Sequence, residues 1–325
     1  MRYDKRMKAF VASILLVLGL APAFAQNYPN KPIRVIIAQA PGSATDVISR
    51  VVGNRLSEAL GQPIVVEARP GAGGAVGTEA AARSAPDGYT LFMANNSTHG
   101  SNPALYSKLP YDAVNDFAPI VHLLEAEGLL VVHPSVPVNS VPELIAYARA
   151  NPGKLTFASA GMGTSSHLAG ELFKSMARVD MNHIPYKGNT PAITDLLAGQ
   201  TSLLFATMPT VLPHVKAGKL RPLATIGAQR SAAVPDLPTV AETGLPGFAV
   251  TNWVGFFAPA KTPPEIVQRW NAETLKIMQT PEMEARLLNE GARFIPMTPG
   301  EFAAFVKSEI AKWAPVVRAS GARVD

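Results

Sequence analysis

The chain has 325 residues, 47% of them hydrophobic and 16% charged, which is long enough for two domains with large cores and too apolar for a disordered protein. It contains no cysteine, which excludes disulfide bonds, thiol nucleophiles and thiolate metal sites. The formal net charge is +5, but residues 1–25 carry four Lys or Arg and one Asp, which leaves 25 basic against 23 acidic residues. So small an excess, without a basic cluster, gives no support to nucleic-acid binding.

The N-terminal residues have the pattern of a secretion signal. Four Lys or Arg within residues 2–8 precede an apolar run over Ala9–Leu20, and Ala23-Phe24-Ala25 supplies the small-x-small pattern of a signal-peptidase site. The apolar run is too short to cross the ~30 Å hydrocarbon layer of a membrane. We therefore expect residues 1–25 to be a signal peptide that is cleaved before Gln26, and the remaining chain to be exported.

Strand-like and helix-like segments alternate from residue 33 onward. The predicted strands, all short apolar runs, are residues 33–38, 64–67, 89–94, 129–132, 155–158, 202–206 and 220–226, with a last strand from Trp253. The predicted helices are residues 45–60, 78–84, 141–150, 191–198, 211–216, 265–279, 281–289 and 299–319, with one more marked by the apolar stripe Leu168, Leu172, Phe173 and Met176. Thr45 or Asp46 is predicted to cap the first helix.

This alternation predicts an α/β fold with mainly parallel sheets and helices on both faces. Two such units follow each other along the chain, which predicts two lobes. We expect the chain to cross between them near residues 125 and 250. Lobe 1 would then contain residues 26–125 and 250–325, and lobe 2 residues 126–249.

Ligands of open α/β sheets bind beyond the carboxyl ends of the strands. The first loop of this kind connects the strand at 33–38 to its helix, and its candidate ligand-binding residues are Pro41, Gly42, Ser43 and Asp46. A glycine lets the backbone approach an anion at the N-terminus of a helix, although a plain tight turn capped by Asp46 fits the same residues. Asn95 and Ser97 follow the third strand and are candidates for the same reason, but such residues also form ordinary turns.

The loop Ser159–His167 also runs from a strand to a helix, and it contains two glycines and four hydroxyl side chains. Such a loop is rich in hydrogen-bond donors for a carboxylate. Its candidate residues are Ser159, Gly161, Gly163, Thr164, Ser165 and His167. For His167 itself, a local hydrogen bond on the helix face is the stronger interpretation. Farther along, Tyr186 is placed to cover a ligand and Lys187 to pair with its charge, unless the two lie on a solvated surface turn.

Motifs of cofactor binding and of catalysis are missing from the sequence. The glycines of Gly71–Gly77 do not match the dinucleotide fingerprint, there is no Gly-x-Ser-x-Gly elbow, and the six His lack metal-ligand spacing. We therefore expect no cofactor, no metal and no catalysis. A hydrolase that uses Ser165 or Ser166 with His167 is the alternative, but adjacent residues at a helix start point in different directions.

An ordered set of short motifs extends over nearly all of the chain after residue 26. The motifs are Lys31-Pro32-Ile33-Arg34, Pro41-Gly42 with Asp46, Arg69–Gly74, Pro86–Leu91, Asn102-Pro103, Leu109–Asp112, Pro152–Leu155, Ser159 with Gly161 and Gly163, His167-Leu168, Pro185–Gly188, Ala217–Arg221 and Pro238–Val240. In this order they make the chain resemble the substrate-binding receptors of tripartite tricarboxylate transporters, also called Bug-type receptors.

The resemblance implies a two-lobed periplasmic binding protein of type II, which closes on its ligand like a Venus flytrap. It implies a small carboxylate ligand, whether a di- or tricarboxylate, an acidic amino acid or an aromatic acid. The loops Pro41–Asp46 and Ser159–His167 would hold the ligand, with Tyr186, Lys187 and Thr207 at further positions of the cleft. The implied partners are the large and small membrane permease subunits, and the receptor is expected to be a monomer. A ligand-sensing subunit of a signalling system would use the same cleft.

Two positions depart from the family pattern. Ser43 stands where the family usually has a second glycine, and Ala206 stands where an acidic residue is often found. Both changes lie in segments that the resemblance assigns to the cleft, so the resemblance does not specify the ligand.

Overall fold

The computed structural model describes residues 28–41, 43–289 and 291–324 of the chain. The predicted signal peptide and the candidate residue Gly42 lie outside the described residues. The described part of the chain folds into two β-sheets with helices packed around them.

The first sheet has six strands in the order β11-β4-β10-β3-β1-β2. They are β1 (Ile33–Ile37), β2 (Ile64–Ala68), β3 (Thr90–Asn95), β4 (Phe117–Ala126), β10 (Asn252–Pro259) and β11 (Ala292–Arg293). β1 runs parallel to β2 and β3, whereas β10 runs antiparallel to both β3 and β4. β1 to β4 therefore all end at the same edge of this sheet.

The second sheet has five strands in the order β7-β6-β8-β5-β9. They are β5 (Gly128–Val132), β6 (Thr156–Ser159), β7 (Asn182–Pro185), β8 (Leu203–Thr207) and β9 (Arg221–Thr225). β6 runs parallel to β7 and β8, whereas β5 runs antiparallel to both β8 and β9. β6 to β9 therefore also share one edge at which they end.

The predicted α/β fold is confirmed, but the sheets are mixed rather than mainly parallel. The difference has a topological cause. β4 ends at Ala126 and β5 begins at Gly128, so the chain enters the second sheet at the edge where the other strands end. A strand that enters at this edge must run against its neighbours. The same holds for β10, through which the chain returns to the first sheet.

Eleven helices cover the sheets in the described part of the chain. They are α1 (Ala44–Leu60), α2 (Ala75–Ala82), α3 (Asn102–Leu105), α4 (Val141–Ala150), α5 (Ser165–Ala177), α6 (Asn189–Leu197), α7 (Met208–Lys216), α8 (Val240–Thr243), α9 (Pro264–Met278), α10 (Pro281–Asn289) and α11 (Pro299–Ser320). In addition, Ala72–Gly74 form a 3₁₀ turn and Ser97–Ser101 a π-helical turn.

The last helix packs on both sheets. Phe302 and Val306, near the start of α11, belong to a core cluster with residues of the first sheet. Trp313 and Val317, near its end, are buried in the core cluster of the second sheet. α11 therefore joins the hydrophobic cores of the two sheets.

The largest difference from the sequence-based prediction is β4, which was not predicted. Its core residues Ile120, Val121, Leu123 and Leu124 are buried, but His122 interrupts this apolar run. The fully buried His122 side chain is surrounded by aromatic rings, and burial lowers its pKa to about 4. A neutral histidine of this kind belongs to the core, which its polar character in the sequence conceals.

The start of α1 also differs from the prediction. Ser43, and neither Thr45 nor Asp46, is the N-cap, because the Ser43 hydroxyl accepts a hydrogen bond from the Asp46 amide at 3.2 Å. Asp46 lies inside the first turn, and its carboxylate pairs with Arg50 at 2.9 Å.

Candidate ligand-binding site between the two sheets

The strand ends of the two sheets face a common region. Residues 126–128 connect the carboxyl edge of the first sheet directly to that of the second, and β10 returns from the second edge to the first at Asn252. Side chains bridge the two edges close to this connection. Asn96 donates to the Ser165 hydroxyl at 2.9 Å, and Ser101 donates to the Gly163 carbonyl at 2.9 Å. The loop after β3 thus contacts the loop after β6.

On the side of the first sheet, the loop before α1 uses its own polar groups. Ser43 caps the helix, the buried Asp46 neutralises the positive end of the helix dipole, and Pro41 is exposed. Gln39 was not among the predicted site residues. Its side-chain oxygen is buried and has no hydrogen-bond partner among the described residues. A buried amide group needs a partner, so Gln39 is an additional candidate for ligand contact.

The polar groups of the loop after β3 are mostly engaged in hydrogen bonds within the protein, so this loop shapes the site more than it contacts a ligand. The Asn95 side-chain oxygen accepts hydrogen bonds from the amides of Ser97 and Thr98 at 3.0 and 3.1 Å. Asn95 therefore closes a turn, and the Ser97 amide is engaged in it. Asn96, which was also not among the predicted site residues, makes the contact across the two sheets instead.

The loop between β6 and α5 uses most of its backbone amides internally. The Ala160 amide donates to Ser166, the Gly161 amide to Ser159, the Gly163 amide to His167 and the Thr164 amide to the Gly161 carbonyl. Gly161 and Gly163 adopt positive φ angles of 134° and 74°, which favour glycine. The groups left for a ligand are the Met162 amide and the first turn of α5.

Ser159 and His167 lie beneath this loop and not on its surface. Their exposed fractions are 0% and 2%. The His167 ring stacks on the ring of His183 with centroids 4.2 Å apart, and His183 is 2.6 Å from the Ser159 hydroxyl. These side chains hold the loop, and the predicted direct contact between His167 and a ligand is therefore not supported by its burial.

Tyr186, Lys187 and Thr207 lie at the ends of β7 and β8. The Tyr186 hydroxyl donates to the Asp195 carboxylate at 2.7 Å, and burial together with this carboxylate raises the Tyr186 pKa to about 12. Lys187 is exposed. The Thr207 hydroxyl lies 3.3 Å from that of Thr210. Of the three, Tyr186 already has a protein partner for its hydroxyl.

The helix N-termini that follow the strands differ in their capping and charge. α5, α6 and α7 follow β6, β7 and β8, and each begins with no side-chain cap and no acidic residue in its first turn. In contrast, α1 has both the Ser43 cap and Asp46. Free amides at a helix N-terminus carry partial positive charge, which favours an anion. In the first sheet α2, which follows β2, likewise begins with no side-chain cap and no acidic residue, so the difference is one between α1 and the helices of the second sheet.

The hydrolase alternative gains no support from the geometry. The Ser165 hydroxyl accepts from Asn96, the Ser166 hydroxyl accepts from the Ala160 amide, and His167 faces Gly163.

Within the described ranges, no three His, Asp or Glu side chains are grouped as metal ligands. Two surface cavities of about 300 and 410 Å³ are lined by residues of α1, α9, α10 and β11 and contain none of the predicted site residues. Among the helices of the described residues, none is both long and apolar enough to span a membrane.

Comparison with known proteins gives matches over most of the length. A sequence model of the "Tripartite tricarboxylate transporter family receptor" matches residues 48–322. Protein BugT of Bordetella pertussis is 37% identical, over 98% of this chain and 98% of BugT. The structure of R. palustris Rpa4515 with adipate is 34% identical with a TM-score of 0.84, covering 91% of this chain and 100% of that one. MatC of Rhodopseudomonas palustris with bound malate is 33% identical with a TM-score of 0.80, covering 89% and 100%.

Proposed function

The chain belongs to the tripartite tricarboxylate transporter receptor family, and from this premise we propose that it captures a small carboxylate and delivers it to a membrane permease. In this proposal the ligand lies between lobe 1, residues 26–125 and 250–325, and lobe 2, residues 126–249. The receptor is exported after cleavage before Gln26, acts in the periplasm as a monomer and catalyses no reaction. The large and small permease subunits of the transporter recognise its ligand-bound form.

The observation that carries the proposal is the free first turn of α5. Its amides are not capped by a side chain, no acidic residue lies in this turn, and the Met162 amide lies just before it. A carboxylate placed here would accept hydrogen bonds from amides that otherwise lack partners. The unpartnered oxygen of Gln39 on the opposite side would accept a hydrogen bond from a donor group of the ligand, such as a hydroxyl or amino group. The other site residues that the sequence predicted would shape the cleft around it.

The structural neighbours support a carboxylate as the ligand class. Adipate and malate, which the two neighbouring structures contain, are both dicarboxylates. They differ in length and in hydroxylation, so the class follows from them but the individual acid does not. Ser43 and Ala206 are positions where this chain departs from its family, and they are where we expect its preference to arise.

The test is a thermal-shift panel on the protein purified from the periplasm after export of the full-length chain. The panel contains adipate, malate, citrate, glutamate and benzoate, with glucose and putrescine as neutral and cationic controls. A ligand at 100 times its dissociation constant stabilises the folded state by about 2.7 kcal/mol. We expect an increase in Tm for at least one acid and for neither control. If only a control raises the Tm, the carboxylate assignment is wrong.

Delivery to a permease needs a separate measurement. Uptake of the radiolabelled acid that binds is compared between cells with the receptor gene, cells without it, and cells without the permease genes. We expect uptake to be lost in both deletions. Uptake that needs neither gene would remove the transport role and favour a sensing subunit with the same cleft.

A further inference from the structure

Two histidines lie directly beneath the loop Gly161–Thr164. His183 on β7 is the register partner of Phe157 on β6, and Ser159 lies two residues after Phe157. Because side chains alternate along a strand, these three residues share one face of the second sheet. His167 on α5 covers this face, with its ring centroid 4.2 Å from that of His183. The His183 centroid is in turn 4.7 Å from that of Phe157.

Each histidine is connected to one glycine of the loop. The Gly163 amide donates to Nδ1 of His167 at 3.1 Å. The Gly161 amide donates to the Ser159 hydroxyl at 3.1 Å, and this hydroxyl lies 2.6 Å from Nε2 of His183. Both glycines have positive φ angles, so these bonds fix the two residues at which the loop turns. Met162 lies between them, and its amide therefore has a defined direction.

The first of these bonds determines the tautomer of His167. Because an amide can only donate, Nδ1 must be the acceptor and must carry no proton. The proton of the neutral ring then lies on Nε2, which is 4.0 Å from the Glu171 carboxylate. A proton on Nδ1 would direct two donors at each other and break the bond to Gly163.

The surroundings keep both rings neutral. His167 is 2% exposed, and burial, with His183 and Lys174 nearby, lowers its pKa to about 3. Burial and then Lys174 lower the pKa of His183 to about 4. The charged side chains at this pair are Glu171 and Lys174, which pair with each other at 3.0 Å on α5. The α11 side chains Trp313 and Val317, in the same core cluster, are uncharged.

We propose that His167 and His183 are positioning residues that set the shape of the ligand-binding loop, His167 through the Gly163 amide and His183 through Ser159 and the Gly161 amide. This inference rests on the proposed function only in that the loop is taken to bind the ligand. The ligand touches neither ring. The two histidines hold the glycine amides away from the ligand, which leaves the Met162 amide and the first turn of α5 to receive it.

Substitutions can separate a hydrogen-bonding role from simple packing. Asn at position 167 places an acceptor oxygen near the position of Nδ1, and Gln at position 183 places a polar atom near the position of Nε2. Leu fills a similar volume at either position without a hydrogen bond. The test variants are therefore His167→Leu and His183→Leu, with His167→Asn and His183→Gln as matched controls.

Two measurements need no ligand. Nitrogen-15 NMR of the wild-type protein at pH 7 should show His167 with its proton on Nε2; a proton on Nδ1 would overturn the inference without any variant. Amide hydrogen exchange of the segment 160–164 should be about tenfold faster in both Leu variants and near the wild-type rate in the Asn and Gln variants. Equal exchange in all four variants would also overturn it.

Affinity is then measured by calorimetry with adipate and malate between pH 6.5 and pH 8, where both carboxyl groups of each acid are ionised. We expect each Leu variant to bind about tenfold more weakly and each control within about threefold of the wild type, with a flat pH profile in the wild type. If the wild type binds no acid, the proposed function fails, while the exchange and NMR results still decide the role of the histidines. If the wild type binds and the Leu variants bind equally well, the positioning role is wrong.

Discussion

The N-termini of α1 and α5 occupy equivalent places in the two sheets but differ in their capping and charge. Each follows a strand at the carboxyl edge of its sheet, and each begins after a short loop rich in small residues. At α1, Ser43 caps the helix and Asp46 supplies a negative charge. At α5, Thr164 turns its hydroxyl back to the Gly161 carbonyl at 2.7 Å and leaves the first turn uncapped. The comparison teaches that similar sequence patterns give a capped, acidic start at one helix and an uncapped start without an acidic residue at the other.

The largest expected effect concerns the contact between Gly163 in the α5 loop and Leu105 of α3. Gly163 has a φ of 74°, and a Cβ at this residue would lie 2.4 Å from Leu105 Cδ2. Gly163→Ala should therefore lower the free energy of unfolding by about 3 kcal/mol, from steric clash and backbone strain together. Gly218 has a similar φ of 69° and open space around it, so Gly218→Ala should cost only about 1 kcal/mol. Urea denaturation measures both, and equal losses would remove the contact with Leu105 as a cause.

The second effect tests the dependence of the α5 loop on a neutral His167. In the unfolded chain the pKa of this residue is near its ordinary value of 6.5, and in the folded protein it is lowered to about 3. Its stabilising effect is therefore complete above pH 6.5 and is lost as the pH falls toward 3. Between pH 6.5 and 5 the loss is about 2 kcal/mol. In His167→Asn the free energy of unfolding should fall by about that much less over the same interval, and parallel pH profiles would contradict the prediction.

The third effect is that of a variant in which the start of α5 resembles that of α1. Ser165→Asp introduces a negative charge into the first turn of α5, where Asp46 lies in α1. We expect it to weaken binding of adipate or malate about tenfold, because a fixed carboxylate competes with the ligand for the same amides. Ser165→Asn has nearly the same shape without the charge and should bind within about threefold. Calorimetry at low salt measures the difference, and equal losses in both variants would place the carboxylate elsewhere.

The smallest effect is that of the converse variant, in which the start of α1 resembles that of α5. Asp46→Asn removes the acidic group, and its pair with the half-exposed Arg50, at a cost in stability of less than about 1 kcal/mol. Without that charge, the affinity for a dicarboxylate should rise about twofold. A fall in affinity would instead assign Asp46 a direct role in holding the ligand, as the sequence resemblance suggested.

The sequence predicted most of the elements, because the buried helix faces and strands show regular apolar spacing. Ile48, Val52 and Leu56 on α1 are all buried as this spacing requires. β4 was missed because a neutral histidine lies in its centre. β5 and β10 were predicted as strands, but their antiparallel direction was not, because direction depends on where the chain enters a sheet. Neither property is visible in local composition.

The sequence predicted which loops form the candidate site, but not what each of their residues does there. The sequence identified the segment Ser159–His167, yet burial of Ser159 and His167 beneath the loop depends on the pairing of β6 with β7. His183 carried no local signal, since it lies on a strand that was not predicted. Asn96 and Gln39 were visible as polar residues at strand ends, but their contacts depend on which loops of the two sheets meet.

The way in which α11 joins the two cores has a consequence for how they respond to mutation. Phe302 completes one core and Trp313 the other, and both lie within the last 25 residues of the chain. One helix therefore contributes to both cores, so a substitution that loosens the packing of α11 is expected to destabilise both sheets together.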